Sequence, residues 1–156
     1  MDLGGTPTAD KLRGWVKAAH KRCDVLVVAL HGGIERQPFP TAYQVTLAHA
    51  FIDAGADVVW GHHPHVLEGT ELYKGHPILY SMGNLVSHTP AVGGLISLSF
   101  NGTDFQSGTF IPTRVAGGRV TFEKGAQRLA REAAFTRLCG QTVAKVHGEG
   151  LPLTSD

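Results

Sequence analysis

Two short apolar runs, each ending at a histidine beside glycine, constrain the fold of this chain most strongly. Residues 25–30 lead into the segment HGG at 31–33, and residues 57–60 lead into GHHPH at 61–65. Continuous β-branched runs of this length are typical of strands that are buried on both faces of a sheet. We therefore expect two buried strands, each followed by a histidine-bearing loop at the same end.

A well-marked helix is predicted between these strands, over residues 41–54. Thr41 and Gln44 have the spacing of a capping box, and Gly55 is a natural C-cap. Val45, Ala48, Phe51 and Ile52 form its apolar stripe. Strand, helix and strand then form a parallel βαβ unit, which places both loops at one edge of the sheet. Open α/β sheets bind ligands at that edge.

The remaining sequence predicts a change from α/β to α+β character. A first helix is capped by Thr8 or Asp10 and runs to about His20, and a short strand spans residues 77–80. Two hairpins and a terminal helix follow, at residues 95–112, 115–122 and 125–146. The fold class is thus α/β, a parallel βαβ unit followed by antiparallel strands and a terminal helix. With 156 residues, a single domain over 1–156 is expected.

Composition excludes several classes of protein. Hydrophobic residues make up 42% of the chain and charged residues 17%, which excludes a disordered polyelectrolyte. The net charge of +1 predicts no nucleic-acid partner, and the longest apolar runs are too short for a membrane segment. Two cysteines are too few for a disulfide scaffold or a cysteine-based zinc site. Serine-hydrolase, P-loop and dinucleotide-binding motifs are absent from the sequence.

The histidines are the main candidates for chemistry. His63 and His65 flank Pro64, which restricts their backbone, and His31 ends the neighbouring predicted strand. Imidazole is a common ligand of divalent first-row metals, so these three side chains predict a metal site. The alternative is that they are surface or capping histidines. His62 is left open, and the five others are interpreted as structural or solvated: His20, His49, His76, His88 and His147.

Three polar residues are candidates for a supporting role. Glu35 and Asp57 could each orient a ligand histidine, although a solvated loop carboxylate is the commoner role. Asn84 follows a predicted strand and could reach the same edge, unless it only shapes a turn.

Taken in order, these motifs resemble the C-terminal half of the CapA/PgsA family of capsule or poly-γ-glutamate synthesis proteins. The segments HGG at 31–33, GHHPHV at 61–66 and YSMGN at 80–84 carry the resemblance, with Glu71 between the last two. It covers roughly residues 10–115. That family in turn resembles calcineurin-like metallophosphoesterases.

The resemblance implies the C-terminal part of a metallophosphoesterase α/β sandwich, with a two-metal centre at the strand ends. His31, His63 and His65 match family metal ligands, for Mn, Zn or Fe without distinction, and no catalytic residue is assigned. Glu35 and Asn84 would lie around these ligands. Gly32 replaces the usual tryptophan and Leu85 the usual phenylalanine. The implied partners are a polymer or phosphoester substrate and other capsule-synthesis proteins.

The family's N-terminal motifs have no match in this sequence. They are a Gly-Asp, an Asn-Leu-Glu and an Asn-Asn-His-x-x-Asp segment, and they would supply the bridging aspartate of a two-metal site. The chain is therefore expected to be a truncated C-terminal half of a CapA-like domain, from a family often anchored in a membrane and facing outward. Two functions stay open. One is a metallophosphoesterase-like hydrolase once the missing half is supplied, and the other is a non-catalytic remnant or accessory module with a partial metal site.

Overall fold

A computed structural model describes residues 8–147 of the chain as a mixed α/β fold. A four-stranded sheet has the order β1-β2-β4-β3, and a three-stranded antiparallel sheet has the order β5-β6-β7. The elements, in chain order, are α1 (Ala9–His20), β1 (Val27–His31), α2 (Ala42–Asp53), β2 (Val58–His62), β3 (Thr70–Tyr73), β4 (His76–Leu79), β5 (Ala91–Asn101), β6 (Asp104–Ala116), β7 (Arg119–Phe122) and α3 (Gly125–His147).

The predicted βαβ unit is confirmed. Strands β1 and β2 pair in parallel, in a register that runs from Val27 opposite Val58 to His31 opposite His62. Helix α2 crosses between them and begins at Thr41, whose side chain and that of Gln44 form the predicted capping box. Both strands extend one or two residues further than the apolar runs indicated, so His31 and His62 lie within the strands. The cap of α1 is Thr8, one of the two candidates.

The expectation that β1 is buried on both faces is wrong. Val27 is 50% exposed, and Trp60 on β2 is 43% exposed. Strand β1 pairs only with β2 among residues 8–147, and one face of the sheet borders an open apolar groove of about 310 Å³. The opposite face packs against the helices, where Val28 and Leu30 join the core. A continuous apolar run therefore did not distinguish a central strand from an edge strand with one open face.

Helices α1 and α2 cover the closed face of the parallel sheet and form the main core. Fully buried members of this cluster include Ala48, Val59, Ile78 and Tyr80. Asp57 supports the start of the unit, because its buried carboxylate accepts a 2.7 Å hydrogen bond from the backbone N–H of Leu26. Asp57 is thus neither a solvated loop carboxylate nor a partner of a histidine. Its role is to join the two strand beginnings.

The second half of the chain follows the predicted order, with one added strand. Strand β3 was not predicted, and it pairs antiparallel with β4 through a turn at Lys74 and Gly75. Strands β5, β6 and β7 form the two predicted hairpins, and α3 spans the predicted terminal helix. No helix within residues 8–147 has the length and apolar character needed to cross a membrane.

A buried carboxylate on β3 joins four parts of the fold. The Glu71 side chain is fully buried, and the Nε2 atoms of His49 on α2 and His147 on α3 each lie 2.8 Å from its Oε1 atom. The Tyr80 hydroxyl donates to Oε2 at 2.6 Å. Burial and this contact raise the pKa of Tyr80 well above its usual range, so the hydroxyl stays a donor. His49 and His147 are therefore structural, as expected, but they share one acceptor.

We predict that Glu71→Gln lowers the free energy of unfolding by roughly 2–4 kcal/mol. The amide presents an NH₂ group in place of one carboxylate oxygen, so at least one of the three donors loses its acceptor. Urea denaturation followed by far-UV circular dichroism measures the change. The control is Glu132→Gln, which removes only the exposed pair with Arg128 and should change stability by less than about 0.5 kcal/mol. Equal losses in the two variants would contradict this role.

Candidate metal centre

The three histidines expected to converge do lie together at the carboxyl edge of the parallel sheet. His31 is the last residue of β1, and His63 and His65 directly follow β2. The ring centroids of His31 and His63 are 5.1 Å apart, in an edge-on arrangement, and those of His63 and His65 are 6.1 Å apart. Parallel strand pairing produces this convergence, because it brings equivalent strand ends to one edge.

Backbone hydrogen bonds hold the loops of this edge together. The N–H of Gly32 donates to the His62 carbonyl at 3.1 Å, and the N–H of Arg36 donates to the Pro64 carbonyl at 2.8 Å. The carbonyl accepting from Arg36 thus lies between the two histidines of the HPH segment. On the other side, the Ser81 hydroxyl donates to the Val66 carbonyl at 2.7 Å. The loop after β2 is therefore fastened to both neighbouring loops.

The backbone at two of the histidines is strained. His63 has φ of 105° and His65 has φ of 61°, in the region that favours glycine. Such conformations cost on the order of 1–3 kcal/mol per residue and cluster at functional sites, where other interactions hold them. Residues chosen for stability alone would be glycines here. His63 and His65 are therefore candidates for a functional role.

We predict that His65→Gly is more stable than His65→Ala by about 1 kcal/mol, because glycine adopts positive φ without steric cost. Both variants lose the same imidazole, so the difference isolates the backbone term. Thermal or urea unfolding of the two variants measures it. At exposed Ala133 in α3, substitution by glycine should instead lower stability by about 0.5–1 kcal/mol. The strain argument fails if glycine destabilises equally at both positions.

Asn84 lies where it can orient a histidine. Its Oδ1 atom is 2.9 Å from Nδ1 of His65, which places the ring proton on Nδ1 and leaves Nε2 as a free electron-pair donor. Close packing holds the Asn84 backbone, since a Cβ atom at Gly93 would lie 2.5 Å from its carbonyl oxygen. Glu35 is exposed in the loop after β1 and makes no hydrogen bond to the three histidines in the described part of the chain. The structure brings Asn84 to His65, whereas the supporting role of Glu35 stays a prediction.

His62 faces a different environment from its neighbours. Its ring lies 5.0 Å from that of Trp60, and it is directly opposite His31 in the strand register. Partial burial lowers the pKa of His62, and the nearby His31 lowers it further. Both effects disfavour the protonated form of His62.

The donors suit a divalent metal, but the arrangement is open. Two imidazoles on one tetrahedral zinc ion have ring centroids about 5 Å apart, which matches the spacing of His31 and His63. The free Nε2 of His65 has the right chemistry for the same role. Among residues 8–147, however, no group of three or more His, Cys, Asp or Glu side chains is placed so that it could hold a metal ion. The histidines therefore offer suitable nitrogen donors, but their placement in this structure does not form a metal site.

A third buried carboxyl, that of Glu68, was not predicted from the sequence. It lies in the loop between β2 and β3, is fully buried, and accepts one 3.3 Å hydrogen bond from Nε2 of Gln44. Its Oε1 atom has no partner among the described residues. Burial raises the pKa of Glu68 to about 7, although the Gln44 contact opposes the shift. No sequence pattern marks this glutamate, because its burial arises only when β2, α2 and the loop pack together.

We predict that Glu68 makes the fold less stable as the pH rises from about 4.5 to 7. The folded-state pKa lies above the ordinary value of 4.5, so the neutral form is favoured in the fold. Its contribution is complete below pH 4.5 and is lost as the pH approaches 7. The loss is on the order of 2–3 kcal/mol. Urea unfolding at several pH values should show that Glu68→Gln removes this slope, whereas Glu132→Gln retains it. An unchanged slope in Glu68→Gln would contradict the assignment.

Together, the fold and the site define a mixed α/β protein that gathers histidines from two loops at the carboxyl edge of a parallel sheet. The family model described as bacterial capsule synthesis protein PGA_cap matches residues 3–89, more than half of the chain. The chain therefore belongs to this family of bacterial capsule synthesis proteins. The resemblance inferred from the HGG, GHHPHV and YSMGN segments is confirmed.

Individual relatives agree with the family assignment. The chain is 49% identical over 71 residues to the PGA biosynthesis protein CapA of Bacillus subtilis. The aligned region is 46% of this chain and 19% of that protein. It is 49% identical over 63 residues to the capsule biosynthesis protein CapA of Bacillus anthracis, 40% of this chain and 15% of the relative. A probable polyglutamine synthesis accessory protein of Mycobacterium tuberculosis is 33% identical over 120 residues, 72% of this chain and 32% of the relative. The aligned regions thus span at most about a third of these relatives.

Proposed function

We propose that this chain contributes the metal-binding histidine edge of a phosphoesterase-like protein that acts in capsule or poly-γ-glutamate synthesis. His31, His63 and His65 are the proposed ligands of a divalent ion, with Asn84 orienting His65. The observation that carries the proposal is the convergence of three imidazoles from two loops at one sheet edge. The family relationship supports the biological setting.

Each residue of the site has a separate part in this proposal. Asn84 fixes the His65 tautomer so that Nε2 can bind a cation, and the hydrogen bond between Arg36 and Pro64 holds the HPH segment near His31. The positive φ values of His63 and His65 set the directions in which the two side chains leave the loop. A bound divalent ion would supply Lewis acidity toward a phosphoryl oxygen. The proposed substrate is a polymer or a phosphoester, and other capsule-synthesis proteins are the expected partners of this chain.

A zinc titration tests the site. We expect His63→Ala and His31→Ala to bind zinc about ten-fold or more weakly than the parent chain, because each removes one nitrogen ligand. Isothermal titration calorimetry gives the affinities, and circular dichroism confirms that the variants are folded. The matched control is His88→Ala, an exposed histidine outside the site, which should bind zinc as the parent chain does. Unchanged affinity in both site variants would overturn the proposal.

A second candidate function is a non-catalytic accessory module that retains a partial metal site. The open arrangement of donors within residues 8–147 favours it, since two-metal phosphoester hydrolysis needs a bridging carboxylate between ions about 3.5–4 Å apart. Assays with a generic phosphodiester and added manganese or zinc separate the two candidates when a polypeptide that carries the N-terminal family motifs is supplied together with the 156-residue chain. The accessory module predicts negligible turnover in that mixture as well as by the chain alone. Metal-dependent turnover that His63→Ala abolishes would instead establish the enzyme.

A further inference from the structure

A second cavity lies away from the histidines, between the first turns of α3 and the antiparallel sheet. Its volume is about 520 Å³, within the range of ligand sites in proteins. Two arginines, Arg114 of β6 and Arg131 of α3, line it together with Glu123, which directly follows β7. The rest of the lining includes the apolar residues Pro90, Val92 and Ala130.

The charges in this groove are arranged for an anion. Glu123 is only 7% exposed, and its carboxylate accepts from Nε and Nη2 of Arg131 at 3.2 and 3.4 Å. This paired contact fixes the plane of the Arg131 guanidinium before any ligand binds. Arg114 is exposed and makes no ion pair within residues 8–147. The groove is thus lined by two guanidinium groups and one carboxylate, an excess of one positive charge.

The volume of the groove and its apolar lining favour some anions over others. An inorganic anion would fill a small part of 520 Å³ and would leave the apolar wall without a partner. A chain that carries carboxylates on short aliphatic spacers fits better, because its methylene groups can cover Val92 and Ala130 while its carboxylates reach the arginines. Arg is well suited to this recognition, since its planar fork matches a carboxylate in a bidentate geometry.

We propose that the groove between α3 and the antiparallel sheet binds an oligocarboxylate chain of the γ-glutamyl type, with Arg114 as its main anchor. The choice of a γ-glutamyl chain rests on the proposed role in polymer synthesis, whereas the requirement for carboxylates rests on the arginines alone. The loop from Asn84 to Pro90 connects the histidine edge to the groove along the chain, and Gly93, next to Val92, packs against Asn84.

Calorimetric titration of the full chain with γ-linked tetraglutamate tests the proposal. We expect Arg114→Gln to weaken binding about ten-fold or more, and Arg114→Lys to recover part of the loss because it keeps the charge without the fork. The control is Arg128→Gln on the same helix as Arg131, an exposed arginine that does not line the groove and should bind within about two-fold of the parent chain. In the parent chain, ligand-induced NMR shifts should be largest at the amides of Val92 and Ala130.

Two smaller anions, glutarate and inorganic phosphate, test whether the groove recognises a carboxylate chain or any anion. Glutarate should bind more weakly than the tetraglutamate but with the same dependence on Arg114, and inorganic phosphate should bind more weakly still. Binding of phosphate as tight as that of the tetraglutamate would overturn the assignment to a carboxylate chain. So would unchanged affinity in Arg114→Gln, or no binding by the parent chain. Zinc affinity of Arg114→Gln should equal that of the parent chain, so failure at the groove is distinguishable from failure at the histidines.

Discussion

The parallel pairing of β1 with β2 is the constraint on which the site depends. In this register His31 lies opposite His62, so the loop that follows β1 meets the HPH loop after β2 at the same edge. A slip of one residue would turn each side chain of the strand to the other face. The buried carboxylate of Asp57, bound to the Leu26 backbone at the opposite end of the strands, helps to hold this register. A residue far from the histidines therefore contributes to their convergence.

Three buried carboxyl groups differ in how many hydrogen-bond partners the fold supplies. Asp57 accepts a backbone hydrogen bond, and Glu71 accepts from two imidazoles and a hydroxyl, so each has partners that offset the cost of burial. Glu68 has one partner and one unpaired oxygen, and its raised pKa reflects that deficit. Glu71 stabilises the packing of α2 and α3 on the sheet. We expect Glu68, in the loop between β2 and β3, to make the stability of the fold depend on pH.

Strained backbone follows the end of β2, and exposed apolar side chains lie on one face of the parallel sheet. The positive φ values of His63 and His65 have a conformational cost that the surrounding hydrogen bonds offset. Nearby, an apolar groove between the parallel sheet and β5 leaves Val27 and Trp60 partly exposed. The relatives in the capsule synthesis family are several times longer than the regions aligned with this chain. The described fold therefore corresponds to only part of each relative, and the activity of the whole protein is a proposal.

Local sequence patterns were sufficient for the elements that form through short-range interactions. The capping box of Thr41 and Gln44, the apolar stripe of α2 and the turns of the two hairpins depend on neighbours a few residues apart, and each was predicted correctly. The family could be recognised from the HGG, GHHPHV and YSMGN segments. The gathering of His31, His63 and His65 at one edge could also be predicted, because parallel βαβ units have a fixed geometry. Only the tertiary structure decided that β1 is an edge strand, that Glu71 is shared by His49 and His147, and that Glu68 is buried. These features depend on contacts between residues 22–76 positions apart, or on which elements cover a face, and no local pattern encodes them.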